Sequence, residues 1–155
     1  MSALKSILLA IDVATRRRDQ FGKKLAEIQQ TQQFAQDQME QLQTYATDTD
    51  ARWTSAAQIR ATPELMRHHY QFMDRLHHAI DLQGGVLGDL QRQVEAARKI
   101  MLEAEFRLSS LKQVLKRKQA EIYVIETRRE QRQMDEFAAL QFRRTARENP
   151  MGELT

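Results

Sequence analysis

Apolar residues recur at alternating intervals of three and four residues in two long stretches of this chain. From Leu4 to Ala56, thirteen of sixteen such positions are apolar, and from Leu87 to Ile125, eleven of twelve are. This spacing keeps one face of a helix turned toward a partner helix, as in a coiled coil. Two long helices that pack along one seam are therefore expected. The polar exceptions are Arg18, Gln32, Thr49 and Lys118.

One break separates the two stretches, at the sequence Arg60-Ala61-Thr62-Pro63-Glu64. Thr62 suits a helix N-cap, Pro63 suits the first helical position, and Glu64 suits the positive end of the helix dipole. The sequence therefore predicts a single coiled-coil domain with one turn. The predicted elements of this domain, 1–155, are helix 1 at about 3–59, a turn at 60–63, helix 2 at about 64–147 and a tail at 148–155.

A connection this short makes neighbouring helices run antiparallel. The numbers of facing residues then sum to about 123, so Ile11 is expected near Lys112, and Met39 near Gly84. Helix 2 should extend past helix 1 beyond about residue 120. The predicted fold is all-α, an antiparallel two-helix coiled-coil hairpin with an overhanging second helix. We expect the overhang to serve as a surface for a partner protein because apolar residues remain on it, namely Ile122, Ile125, Met134, Phe137 and Leu140.

Gly84 and Gly85 lie inside the predicted second helix. Glycine in a helix interior costs about 1 kcal/mol relative to alanine. Two interpretations remain open at this stage. The pair either accommodates a local bend or a close approach of the helices, or it forms a hinge.

Charge is distributed unevenly, although the formal net charge is only +3. The segment from Glu27 to Ala51 contains five acidic residues and neither Lys nor Arg, whereas 107–147 contains eleven basic and five acidic residues. Arg16, Arg17 and Arg18 would add to the basic end of the hairpin. Such runs are typical of a solvated helix face, and they also suit electrostatic steering toward a charged partner.

The sequence contains no recognisable catalytic or cofactor-binding motif. Cysteine is absent, which fits a reducing, cytoplasmic compartment. The pairs His68-His69 and His77-His78 are too far apart along a helix to share one metal ion, so solvated or seam-edge histidines are expected. We expect no enzymatic activity, no cofactor and no metal.

Nucleic acid and membranes are also disfavoured as direct partners. Acidic residues interrupt the basic stretch near the C-terminus, unlike the continuous basic helix of a basic zipper. The apolar stretch from Leu4 to Val13 is too short to span a bilayer. It could lie on a membrane surface as an amphipathic helix, but its apolar residues already fit the seam.

The string Gln133-Met134-Asp135-Glu136-Phe137-Ala138, followed by Arg143-Arg144, resembles the flagellar export protein FliJ family. The resemblance extends to chain length, hairpin layout and the position of the turn. It implies a non-enzymatic stalk of the flagellar type III export apparatus, which promotes ring assembly and ATP hydrolysis by the hexameric export ATPase. It also implies contacts with the transmembrane export gate and with export chaperones. Such a protein would be peripheral to the inner face of the cell membrane at the flagellar base, and would serve motility and chemotaxis.

The resemblance further implies two binding sites. Its gate contact maps onto Phe72, Leu76, Ala79 and Gln83, the last in place of the family's histidine. If Leu87 is a heptad a position, Leu76 falls at d in the seam, while Phe72 and Ala79 fall at g on its flank. The expected ATPase-ring contacts, which rest on the motif and on charge, are Arg16, Arg17, Arg18, Arg128, Arg129, Met134 and Phe137.

Two alternative functions stay open at the level of sequence. A prefoldin-like or general secretion chaperone would hold clients on apolar residues at free helix ends and would not affect an ATPase. The equivalent stalk of a virulence type III secretion system would share the hairpin and its role.

Overall fold

The computed structural model describes residues 2–148 of the 155-residue chain. They form two helices, α1 (Ser2–Ala57) and α2 (Pro63–Glu148), and the described residues include no strand. The prediction of an all-α helical hairpin is confirmed, and the helix ends lie within two residues of those expected. Of the predicted tail, Glu148 still belongs to α2, and residues 149–155 lie outside the described part of the chain.

The turn between the helices has the capping geometry that the sequence predicts. The backbone N–H groups of Ile59 and Arg60 both donate to the carbonyl oxygen of Ala56, at 3.0 Å, which closes α1. The Oγ1 atom of Thr62 accepts a hydrogen bond from the backbone N–H of Leu65 at 3.2 Å. Thr62 is therefore the N-cap of α2, and it satisfies a backbone donor that the first turn leaves without a partner.

The chain divides into two compact units, each formed from parts of both helices. The larger unit is Ala14–Arg107, and the other combines Met1–Val13 with Leu108–Thr155. The prediction of a single domain over 1–155 stays a prediction.

Contacts inside the larger unit show that its helices run antiparallel. Gln32 Nε2 donates to Gln91 Oε1 at 2.6 Å. The ring of Trp53 stacks on that of His69, with centroids 4.4 Å apart. The Cε atom of Met39 lies 3.8 Å from where a Cβ on Gly84 would be, so the predicted facing of Met39 and Gly84 is confirmed.

The buried residues of this unit are small on α1 and large on α2, whereas larger α1 residues such as Ile28 and Leu42 are half-buried at the seam. The buried residues that α1 contributes are Ala14, Ala35 and Ala46. One core cluster combines Ala46 with Met73 and Leu76, with Leu42 and Ile80 packed against it. A large side chain over a small one fills the space between two helices without forcing them apart. The buried α2 residues of the unit are Met73, Leu76, Leu90 and Val94.

The predicted seam positions agree closely with the observed burial. All of those in the first stretch are at least half-buried except Phe21 and Ala56, and all in the second except Ile125. The same spacing continues toward the turn through further half-buried or buried residues of α2, namely Gln83, Ile80, Leu76, Met73 and His69.

Phe21 lies next to a close contact between the helices. The side chain of Met101 packs over Gly22, where a Cβ would lie 3.2 Å from its Cε and 3.5 Å from its Sδ. Phe21 itself is 37% exposed and lies beside Ile100 of α2.

The second unit has a short seam and a long uncovered segment of α2. Leu4, Ile7 and Ile11 are half-buried, and Leu108 is buried. From residue 123 to residue 148 every residue is exposed. Neither helix, over the residues described, has a stretch that is long and apolar enough to cross a membrane.

The first prediction concerns Gly84 and Gly85. Both have ordinary helical backbones, a Cβ on Gly84 would make only a normal contact, and one on Gly85 would meet nothing within 4 Å. Close helix approach does not require either glycine, so Gly84→Ala and Gly85→Ala should each raise the free energy of unfolding by up to about 1 kcal/mol. Urea unfolding followed by circular dichroism measures this, with Gly88→Ala, equally open, as a control. If the variant that carries both substitutions is less stable than the wild type, the expectation is wrong. If that variant is more stable but has lost its function, the hinge interpretation is favoured.

Candidate functional site

The four residues expected to contact the export gate share one stripe of α2 but differ in exposure. Phe72 is 39% exposed and Leu76 only 8% exposed, while Ala79 and Gln83 are half-buried. The stripe therefore begins on the surface at Phe72 and descends into the seam. Phe72 is the large apolar group of the four that a partner can reach directly.

Leu76 belongs to the core of the hairpin. It packs with Ala46 and Met73 in the buried cluster. This agrees with the d position that the heptad gives it. A partner bound at Phe72 would contact a surface that Leu76 supports from within the core of the hairpin.

Tyr45 of α1 joins Phe72 at the surface. The two rings meet edge to face, with centroids 6.0 Å apart and planes at 79°. Both are exposed. The sequence analysis did not connect these residues, although the signal was present: each lies at g in its own heptad, and g positions flank each other when two helices run antiparallel.

Gln83 makes hydrogen bonds across the seam. Its Nε2 donates to the backbone carbonyl of Ala35 at 2.8 Å and lies 3.4 Å from Gln38 Oε1. This amide joins α2 to the backbone of α1, so at least part of its role is to hold the two helices in register.

The residues expected at the ATPase ring fall into different compact units. Arg16, Arg17 and Arg18 belong to the larger unit, where Arg18 donates to its neighbour Asp19 from Nη2 at 2.8 Å. The others belong to the uncovered part of α2. There Met134 and Phe137 are 68% and 63% exposed, one turn apart, and Arg128 and Arg129 precede them.

His69 occupies a seam position close to the turn. Its side chain is 8% exposed, stacked on Trp53, and its Nε2 lies 3.6 Å from Oδ1 of Asp50. His68, His77 and His78 are exposed. Within residues 2–148, no group of three or more histidine or acidic side chains is placed to hold a metal ion.

The fold defines a class: an all-α coiled-coil hairpin with many large apolar side chains exposed on its surface. Within this class, the model of the flagellar FliJ protein family matches residues 3–147, and the chain belongs to that family. The family is a non-enzymatic component of flagellar protein export, so the chain has a role in flagellar biogenesis and export. No curated protein and no solved structure matches the chain.

The second prediction separates Leu76 from Phe72. Leu76→Ala should lower the free energy of unfolding by about 2 kcal/mol or more, since it leaves a cavity in the core cluster. Phe72→Ala should cost less than half as much because its ring is partly in water. Urea unfolding of the two variants checks the difference. Equal losses would show that Phe72 is as much a core residue as Leu76.

Proposed function

We propose that this chain is the stalk and adaptor of the flagellar type III export apparatus. It engages the hexameric export ATPase, the transmembrane export gate and export chaperones, and it promotes ATP hydrolysis and the export of flagellar subunits. The proposal places the chain at the flagellar base, peripheral to the inner face of the cell membrane, where it serves motility and chemotaxis. Family membership over residues 3–147 supports the flagellar setting rather than a virulence system.

The observation that carries the ATPase contact is the uncovered segment of α2. Residues 123–148 keep large apolar side chains exposed among arginines, although one helix in water gains nothing from exposing them. Met134, Phe137 and Leu140 recur at intervals of three residues and so lie along one side of the helix. Six arginines and five acidic residues surround them over 123–148, which suits a partner surface that is apolar at its centre and of mixed charge at its edge. The exposed apolar residues are Tyr123, Val124, Ile125, Met134, Phe137, Leu140 and Phe142.

The contact with the export gate is proposed at Phe72, with Tyr45 as its neighbour across the seam. Aromatic side chains are frequent anchors of protein interfaces because they bury a large area with few rotatable bonds. The T-shaped pair presents two such rings held by a packed seam. Leu76 and Gln83 support this surface through the core cluster and the bond to Ala35, and Ala79 lies between them.

The third prediction tests the ATPase contact. Adding the chain to its cognate export ATPase should raise the rate of phosphate release. The double variant Met134→Asp with Phe137→Asp should need a concentration at least about tenfold higher for half-maximal stimulation, since buried interface anchors typically contribute more than 1 kcal/mol each. Both residues are exposed, so the fold should survive the change.

The matched control for this experiment is Phe34→Asp, since Phe34 is 64% exposed and lies on α1 outside the proposed contacts. The Phe34→Asp variant should stimulate ATP hydrolysis as strongly as the wild type does, at the same concentration. If wild-type protein leaves hydrolysis unchanged and does not co-elute with the ATPase, the stalk proposal is wrong and a general chaperone becomes the better interpretation.

The fourth prediction tests the gate contact separately. Phe72→Asp should weaken binding to the cytoplasmic part of the export gate by about tenfold or more, because a charge replaces an aromatic anchor. Stimulation of the ATPase should be unchanged, since Phe72 packs on Tyr45, more than 25 residues along α1 from Arg16 to Arg18, and Met134 and Phe137 belong to the other compact unit. Calorimetric titration measures the first and phosphate release the second. Retention of full gate binding would remove Phe72 from the interface.

A further inference from the structure

An apolar groove runs along the seam of the larger unit between α1 and α2. On α1 it is lined at heptad spacing by Ala14, Arg17, Phe21, Lys24 and Ile28. The groove is continuous, because Phe21 and Ile100 border both of its halves. Its α2 wall consists of Gln93, Ala96, Ala97, Ile100, Glu103, Ala104 and Arg107.

The groove exists because the side chains at this part of the seam are too small to fill the space between the helices. Met101 packs over Gly22, and the α2 wall that faces Phe21 includes alanines, which are too small to cover the ring. Phe21 therefore stays 37% exposed and Ile100 44% exposed, side by side, in water. Small residues on the wall also allow another backbone to come close. A third helix seated between the two would cover both side chains, as knobs of a three-stranded coiled coil.

The rim of the groove is basic. Arg17, Lys24 and Arg107 line it, against one carboxylate, that of Glu103. None of the three cations forms an ion pair within the part of the chain that the structure describes. A basic rim around an apolar floor favours an occupant whose apolar stripe is flanked by Asp or Glu.

We propose that this groove is a docking site for an acidic amphipathic helix of a partner protein. The occupant is a helix of about four turns, matching the span from Ala14 to Ile28 at 1.5 Å per residue. Its apolar stripe covers Phe21 and Ile100, and its flanking carboxylates face Arg17, Lys24 and Arg107. Of its lining residues, Arg17 is also a proposed ATPase contact, and none belongs to the Phe72 surface or to the uncovered segment of α2.

The experiment uses the full-length protein and two labelled synthetic peptides of about three heptads each. Both have leucine at a and d; one has glutamate at e and g, and its twin has lysine there. Fluorescence anisotropy should show that the glutamate peptide binds at least about tenfold more tightly than its twin. Phe21→Ser and Ile100→Ser should each weaken glutamate-peptide binding by a similar factor, whereas Phe34→Ser should not.

Lys24→Glu supplies a second test that does not touch the apolar floor. The Lys24→Glu variant should bind the glutamate peptide more weakly and the lysine twin more tightly than the wild type does. Lys23→Glu is the matched control, because it makes the same charge change one residue away on a different face of α1 and does not line the groove.

Variants at Arg17 are avoided because Arg17 is also a proposed ATPase contact. Phosphate release with Phe21→Ser should equal that of the wild type, so failure of the groove and failure of the proposed function are distinguishable.

Two outcomes would overturn the proposal. One is equal binding of the two peptides, or binding that Phe21→Ser and Lys24→Glu leave unchanged. The other is that sedimentation shows the protein alone to be a dimer that Phe21→Ser dissociates, since the occupant would then be a second copy of this chain.

Discussion

The packing of large α2 side chains over alanines of α1 is the interaction on which the hairpin depends. A pair of helices shares a single contact face, so the apolar area that it can bury is small. Placing Met73 and Leu76 over Ala46 fills that face without separating the helices. The consequence is that most of the surface of both helices stays exposed, including many large apolar side chains.

Apolar packing alone specifies the register of a two-helix seam only weakly, because apolar residues recur at the same spacing along both helices. Polar groups inside the seam supply the missing specificity. Gln83 reaches the carbonyl of Ala35, and Gln32 pairs with Gln91. A shift along the seam would leave the part-buried amide of Gln83 without its partner, at the cost of its desolvation. Polar seam residues that fix register at some expense of stability are a known feature of coiled coils.

The same polar residues explain what could and could not be predicted from the sequence. Apolar spacing predicted both helices, the turn and nearly every seam position, because periodicity alone determines which face packs. It extended past Leu87 to Leu76, but polar seam residues such as Gln83 and His69 do not stand out in an apolar pattern. Spacing placed Phe21 in the seam, whereas 37% of its side chain is exposed beside Ile100. Such effects depend on the shapes of neighbours on the other helix.

The candidate surfaces were only partly visible in the sequence for a related reason. Phe72 was placed on the flank of the seam by its heptad position, but its pairing with Tyr45 requires the antiparallel alignment as well. The uncovered segment of α2 followed from the difference in helix length alone. The groove at Phe21 and Ile100 could not be foreseen, since it results from a local failure of the seam.

The uncovered segment of α2 can stay helical without a partner, and this has a consequence for binding. An isolated helix of that length is marginal in water because nucleation is costly. Here the seam up to Ile122 already supplies the nucleus, and residues 123–148 extend it with Glu, Gln, Arg and Ala, which favour helix. A partner that docks at the proposed contact would therefore meet Met134 and Phe137 on a helix that is already formed. Since little backbone entropy is lost on binding, a modest apolar contact is enough for specific association.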